Sequence, residues 1–159
     1  MSETMVLQMS ERLHRALALA NEDAARRCHE YLGTEHLLVG ITSTGEGVVE
    51  VVLGNLGLSS TAIRHRIDEA VKKGAQTAAL EKRPRTTRCQ RALALAESEA
   101  RSLGHPYLGT EHVLMGLLVE GQSIGCMILF EAGITEAAAR DEILRVLGPM
   151  RPASNPNTV

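Results

Sequence analysis

Aromatic side chains are nearly missing from this chain. Tyr31, Tyr107 and Phe130 are the whole set, 2% of 159 residues, and tryptophan is absent. That excludes a stacking surface for single-stranded nucleic acid, which needs rings for successive bases. Charge of one sign is also missing. With 17 basic and 19 acidic residues the net is −2, so no global field draws the chain to DNA or to an anionic membrane. Cys28, Cys89 and Cys126 are widely spaced and form no C-x-x-C, which excludes a disulfide framework and a zinc knuckle. No apolar run approaches the ~20 residues of a membrane span. No cationic start followed by an apolar stretch marks a signal peptide. A G-x-x-x-x-G-K-[ST] phosphate cradle is absent as well. These absences set the expectation of a soluble cytoplasmic chain with no cofactor, no metal, no nucleic-acid partner and no membrane partner.

What is present is a repeat. "YLGTEH" occupies Tyr31–His36 and again Tyr107–His112, 76 positions on. Sliding the chain on itself by 76 needs no gap. "RALALA" at Arg15–Ala20 falls on Arg91–Ala96, and His29 on His105. Gly40, Gly45, Gly57, Arg64 and Ile67 fall on Gly116, Gly121, Gly133, Arg140 and Ile143. From Ser10 to Val71, 23 of 62 aligned positions are identical. Chance would give about four at ordinary residue frequencies, so the chain is a tandem duplication.

Each copy reads as four helices, with a core of Leu, Ile, Val, Ala and Met. Ser10 caps a first helix to about Cys28, whose Leu13, Leu17, Ala20 and Ala24 recur at helical spacing. Gly33 breaks the chain and Thr34 caps a second helix, "EHLLVGIT". A third, "GVVEVVLGNL", follows the Gly45–Gly47 turn. A fourth, capped by Ser59 or Ser60, runs to Gly74. In the second copy the starts fall at Thr86 or Thr87, then near Thr110, Gln122 and Thr135, and the last helix ends near Gly148. The fold class expected is all-α, eight helices as two tandem pseudo-twofold four-helix repeats. The expected layout is an N-terminal extension over 1–9 and a double repeat over 10–148, made of repeat one 10–74, linker 75–85 and repeat two 86–148. A Pro/Asn-rich disordered tail is expected over 149–159.

The hexapeptide admits two readings. In the first it is helix-start grammar: Gly33 for a backbone angle other residues avoid, Thr34 as cap, and Glu35 in the first turn where the helix dipole favours a carboxylate. His36 and His112 are then buried histidines donating to backbone carbonyls. In the second it is a duplicated binding site, which better explains why all six residues stayed identical in copies that drifted elsewhere. A metal is disfavoured, because adjacent Glu-His does not place two ligands on one helix face. A Cys-His nucleophile is disfavoured too, since Cys28 has Gly104 in its place in copy two.

Two copies of "YLGTEHLLVGI" and "YLGTEHVLMGLL", each after an Ala/Leu-rich helix and before a Gly-containing turn, resemble the Clp N-terminal domain. This is the repeat at the front of the ClpA/ClpC class of AAA+ unfoldases. The resemblance covers 10–148. It implies a non-enzymatic binding module whose partners are Clp ATPase or protease subunits and substrate or adaptor proteins. In the ClpC branch it also implies phosphoarginine binding, with the glutamate of each G-T-E-H holding the guanidinium. Carried over, Glu35 and Glu111 become the ligand carboxylates. Thr34, Thr110 and the helix starts near Gly45–Gly47 and Gly121–Ser123 become candidate phosphoryl donors, while Gly33, Gly109, His36 and His112 are structural. This chain departs from the family in reading "GQS" at the copy-two turn and Arg27-Cys28-His29 where copy two keeps Leu103-Gly104-His105. With no ATPase motif, the expectation is a stand-alone accessory protein. The alternatives are an excised N-domain of a longer Clp ATPase, or a sequestering protein for small molecules that target Clp N-domains.

Overall fold

A computed structural model describes residues 6–45, 47–75 and 83–148. The expected tail and most of the expected linker, 76–82, lie outside the described residues. Among those residues there are eight helices, and the fold is all-α. Copy one supplies α1 (Glu11–Arg26), α2 (Thr34–Ile41), α3 (Val48–Asn55) and α4 (Ser60–Ala70). Copy two supplies α5 (Thr87–Ser102), α6 (Thr110–Glu120), α7 (Ile124–Glu131) and α8 (Glu136–Leu147). Five of the starts are capped by hydroxyls that accept a first-turn N–H, those of Ser10, Ser59, Thr86, Ser123 and Thr135. A hydroxyl acceptor there satisfies a donor the helix itself cannot.

Helix α4 stops four residues before Gly74. At Val71 the chain turns extended (φ −117°, ψ 125°) and crosses the end of α1. Gly74 N donates to the Arg27 carbonyl (2.8 Å), and a side chain on Gly74 would collide with the Cys28 carbonyl. Close approach, not helix termination, requires that glycine.

Helix α1 buries Leu13, Ala16, Ala20 and Ala24 along one stripe. The small alanines let α2 come close enough that a methyl on Gly40 would strike the Ala16 carbonyl; Gly116 stands the same way against Ala92. Every residue of α2 is buried, and after Thr34, Glu35 and His36 its composition is apolar all round, as a central helix requires. No single helix among the described residues is long and apolar enough to cross a membrane.

The copies interlock. Helix α3 packs on α6 and α8 of the other copy, and α7 packs on α2 and α4. Two short parallel pairings reinforce this. Strand β1 (Gln8–Met9) pairs with β2 (Tyr107–Leu108), Met9 opposite Leu108, and Leu32 bridges Arg85. Met9 and Arg85 are 76 apart, as are Leu32 and Leu108, so the two contacts are one contact made twice. Ser10 N donates to the Leu108 carbonyl (2.9 Å) and Thr86 N to that of Leu32 (3.0 Å). The residues leading into each copy's first helix thus lie as a strap on the other copy's hexapeptide. A two-residue strand carries no sequence signal of its own, which is why residues 8–9 read only as an extension.

Candidate functional site

Gly33 and Gly109 do not use a special backbone angle. Their φ values are −104° and −117°, ordinary extended backbone. They are glycines because the following glutamate folds back over them: a methyl on Gly33 would collide with Glu35 Oε1, and one on Gly109 with Glu111 Oε1. The glycine makes room for the carboxylate.

Nor does Thr34 cap its helix. Thr34 is the first helical residue, and its hydroxyl accepts Gly125 N of α7 (3.0 Å), tying the two copies together. Thr110 is buried at the matching position. Capping is done by the histidines. His36 Nδ1 accepts Gly33 N (2.9 Å), and His112 Nδ1 accepts Gly109 N (2.9 Å). A bare Nδ1 places the proton on Nε2, which donates to a second imidazole, His29 Nδ1 or His105 Nδ1, at 2.7 Å in each copy. His29 then donates from Nε2 to the Lys72 carbonyl (2.9 Å). The sequence expectation had His36 and His112 donating to carbonyls. They accept an N–H instead, and in copy one the carbonyl is reached one ring later. Burial holds both His36 and His112 down at about 4, so both are neutral near pH 7.

Tyrosine covers each cluster. Tyr31 stacks on His29 (centroids 4.9 Å apart, 12° between planes) and Tyr107 on His105 (5.2 Å, 12°). Tyr107 Oη donates to Glu111 Oε2 (3.3 Å). Burial, with the Glu111 charge beside it, pushes the Tyr107 phenol up to about 12.

Glu35 is 3% exposed and Glu111 6%. Among the described residues no arginine or lysine pairs with either carboxylate. Burial raises the Glu35 pKa, while a hydrogen bond from its own backbone N–H pulls the other way. The carboxylate lies near the first turn of α5. Burial pushes the Cys89 thiol there up to about 11, and the Glu35 charge adds to the rise. Cys126 is likewise held at about 11 by burial, so neither thiol is poised for nucleophilic chemistry.

At the helix starts expected to offer phosphoryl donors a glutamate already sits over the cap and takes the N–H groups there. Glu50 accepts Thr44 N and Gly47 N at α3, and Glu120 accepts Gln122 N and Ser123 N at α7. Open donors with no carboxylate over the cap lie elsewhere. In α5 and α1 the cap residue's N–H goes to the facing hexapeptide and the third N–H to the cap hydroxyl. That leaves Thr87, Arg88, Glu11 and Arg12 with first-turn N–H groups that no intrahelical carbonyl can reach. Glu35 lies within electrostatic reach of Cys89 in the first turn of α5, and the matching strap pairing sets the second hexapeptide beside the start of α1.

A model of the Clp repeat N-terminal domain matches residues 8–88 and again 85–159. The chain belongs to the Clp N-terminal repeat family. It is 37% identical over 142 residues to the chaperone protein ClpB of Oceanobacillus iheyensis, covering 89% of this chain and 17% of that one. The same identity holds over 141 residues with the negative regulator of genetic competence ClpC/MecB of Bacillus subtilis, again 89% and 17%. The chain thus spans about a sixth of the length of these relatives. Its fold matches the N-terminal domain of ClpD from Arabidopsis thaliana with a TM-score of 0.71 at 17% identity, covering 89% and 98% of the two chains. It also matches a ClpV N-domain in complex with a VipB peptide, with a TM-score of 0.65 at 16% identity, covering 94% and 100%.

In this Clp N-domain the structure brings together Gly33, Glu35 and His36, and separately Gly109, Glu111 and His112, and turns Thr34 to the other copy. Sequence reasoning gave no role to His29, His105, Tyr31 or Tyr107. All four sit at identical positions when the chain is aligned on itself at an offset of 76, the one signal that could have found them.

Proposed function

We propose that this Clp N-domain is a non-enzymatic binding module of Clp proteolysis that takes protein partners, including arginine-phosphorylated ones, through Glu35 and Glu111. The observation that carries the reading is the pair of buried carboxylates with which no arginine or lysine pairs among the described residues. A buried charge normally has one, because desolvation is costly. A guanidinium would supply it, in a two-point fork. The phosphoryl group beyond it would meet the free first-turn N–H groups of the opposite copy's first helix, where the dipole also favours an anion. Each site would then be composite, a carboxylate from one copy and a helix start from the other. Tyr31 and Tyr107 would have to swing aside for entry. The ClpV N-domain held with a VipB peptide supports the capture of protein segments by this fold. Whether the module acts alone on Clp ATPase or protease subunits or as part of a longer chain, the binding chemistry is the same. A cytoplasmic setting belongs to the proposal.

The test is calorimetric titration of the chain with phosphoarginine, beside Glu35→Ala/Glu111→Ala. Saturable binding at two sites is expected, weakened at least tenfold in the variant, about the worth of one charge-assisted hydrogen bond per site. No saturation in the unaltered chain overturns the phosphoarginine reading. The remaining reading, protein partners without the tag, is then checked by capture of purified Clp ring subunits.

A further inference from the structure

One difference in charge between the copies lies between the first and the last helix of each. In copy two, Arg140 of α8 makes a two-point bond to Glu99 of α5 (2.6 and 2.9 Å). The matching pair in copy one is Arg64 and Asp23, and it is not made. Asp23 instead accepts from Arg26 (2.6 Å) and Arg27 (2.9 Å), and Arg27 also holds Asp68 (2.8 Å). These two arginines stand where copy two has Ser102 and Leu103. Arg64 is left with a neutral partner, Ser43 Oγ (3.0 Å). Among the described residues no carboxylate pairs with Lys73.

Arg26, Arg27, Arg64, Asp68, Val71 and Lys73 line one cleft of about 470 Å³ between the end of α1 and α4. Four cations stand there against Asp68 in the cleft and Asp23 beside it, with Glu22 next to Arg26 and Arg64 in the adjoining hollow, a surplus of one to two positive charges. The C-terminus of α1 accounts for Arg26, since a cation there complements the helix dipole. It does not account for Arg64, in the middle of α4. In copy two the same wall is Ser102, Leu103, Arg140, Leu144 and Leu147, with the one arginine already neutralised.

We propose that this cleft binds one phosphate monoester group per chain, through Arg64, Lys73 and the outer face of Arg26. Such a group carries about −1.5 to −2 charges at pH 7, matching the surplus. Guanidinium forks suit its oxygens. The cleft is larger than a phosphate, which leaves room for whatever bears it. A phosphorylated side chain of a partner protein and a small phosphate metabolite share this chemistry. The site is separate from the hexapeptides and does not depend on their reading.

Titrations followed by amide chemical shifts would use three probes at low salt: inorganic phosphate, a phosphoserine peptide, and the same peptide unphosphorylated. Saturable one-to-one binding of a phosphorylated probe is expected, with shifts at Arg26, Arg64 and Lys73. Arg64→Gln/Lys73→Gln should weaken it about tenfold or more. Both residues are exposed, so the variant's melting temperature should match that of the unaltered chain. Glu35→Ala/Glu111→Ala should leave this binding intact. Tighter binding of the phosphopeptide than of phosphate identifies a protein source, and equal binding a free phosphate compound. Failure of both phosphorylated probes to saturate at millimolar concentration overturns the proposal. So does binding that survives Arg64→Gln/Lys73→Gln, that is lost in Glu35→Ala/Glu111→Ala, or that the unphosphorylated peptide reproduces.

Discussion

His36 and His112 stay unprotonated because their Nδ1 atoms accept a backbone N–H and their surroundings are dry. Their pKa values of about 4 lie below the ordinary 6.5. Between those two values the unfolded chain binds protons that the folded chain refuses. Stability is therefore fully present above about pH 6.5 and is lost as pH falls toward 4, by up to ~1.4 kcal/mol per pH unit for each histidine. Glu35 acts in the opposite sense. Its raised pKa lets the folded chain take that proton first, but one group opposes two. Urea midpoints should thus fall steadily from about pH 7 to about pH 4.5, and a flat profile would show that the imidazoles are not held neutral. At this scale the sequence singled out residues that the structure gathers, and misassigned what several of them do. Glycine was read as an angle and is a space. Threonine was read as a cap and is a tie between copies. Spacing along a chain reports neighbours on a helix, and these partners are not on the helix.

Helices were the more legible level. Hydroxyl caps, 3.6-residue apolar spacing and terminal glycines are local signals, and they located the starts of α1, α4, α5 and α8. The end of α4 was missed because Gly74 resembles a helix stop, while its constraint comes from the carbonyl of Cys28 more than forty residues away. Glycines within helices divide by the same physics. Gly116→Ala drives a methyl into the Ala92 carbonyl where α6 crosses α5, and should cost about 1–3 kcal/mol, typical of an overpacked core. Gly54→Ala in α3 meets nothing and should stabilise by roughly 0.5–1 kcal/mol through helix propensity. Opposite shifts of the two denaturant midpoints are the expected result. A stabilising Gly116→Ala would mean that α5 and α6 do not touch as described.

For the whole molecule, interlocking makes the two copies one folding unit. Leu32 and Leu108 each pair with a strap from the other copy, Thr34 bonds Gly125, and α3 and α7 pack across. Separately expressed halves, 1–75 and 83–159, should lack cooperative melting, while the intact chain melts in one transition. Recovery of a sharp transition on mixing the halves would support the interlock, whereas two independently stable halves would refute it. The sequence by itself determined the duplication, the helical class, the family and the two glutamates worth testing. Each of these is written either within one helix or in the comparison of two aligned stretches. Only the tertiary structure decided that the glutamates are buried with no arginine or lysine paired to them among the described residues, that His36 and His112 cap the motif helices, and that each hexapeptide lies under the strap of the other copy. Those facts depend on atoms that folding brings together across many turns of chain, and a one-dimensional pattern carries no record of which faces meet.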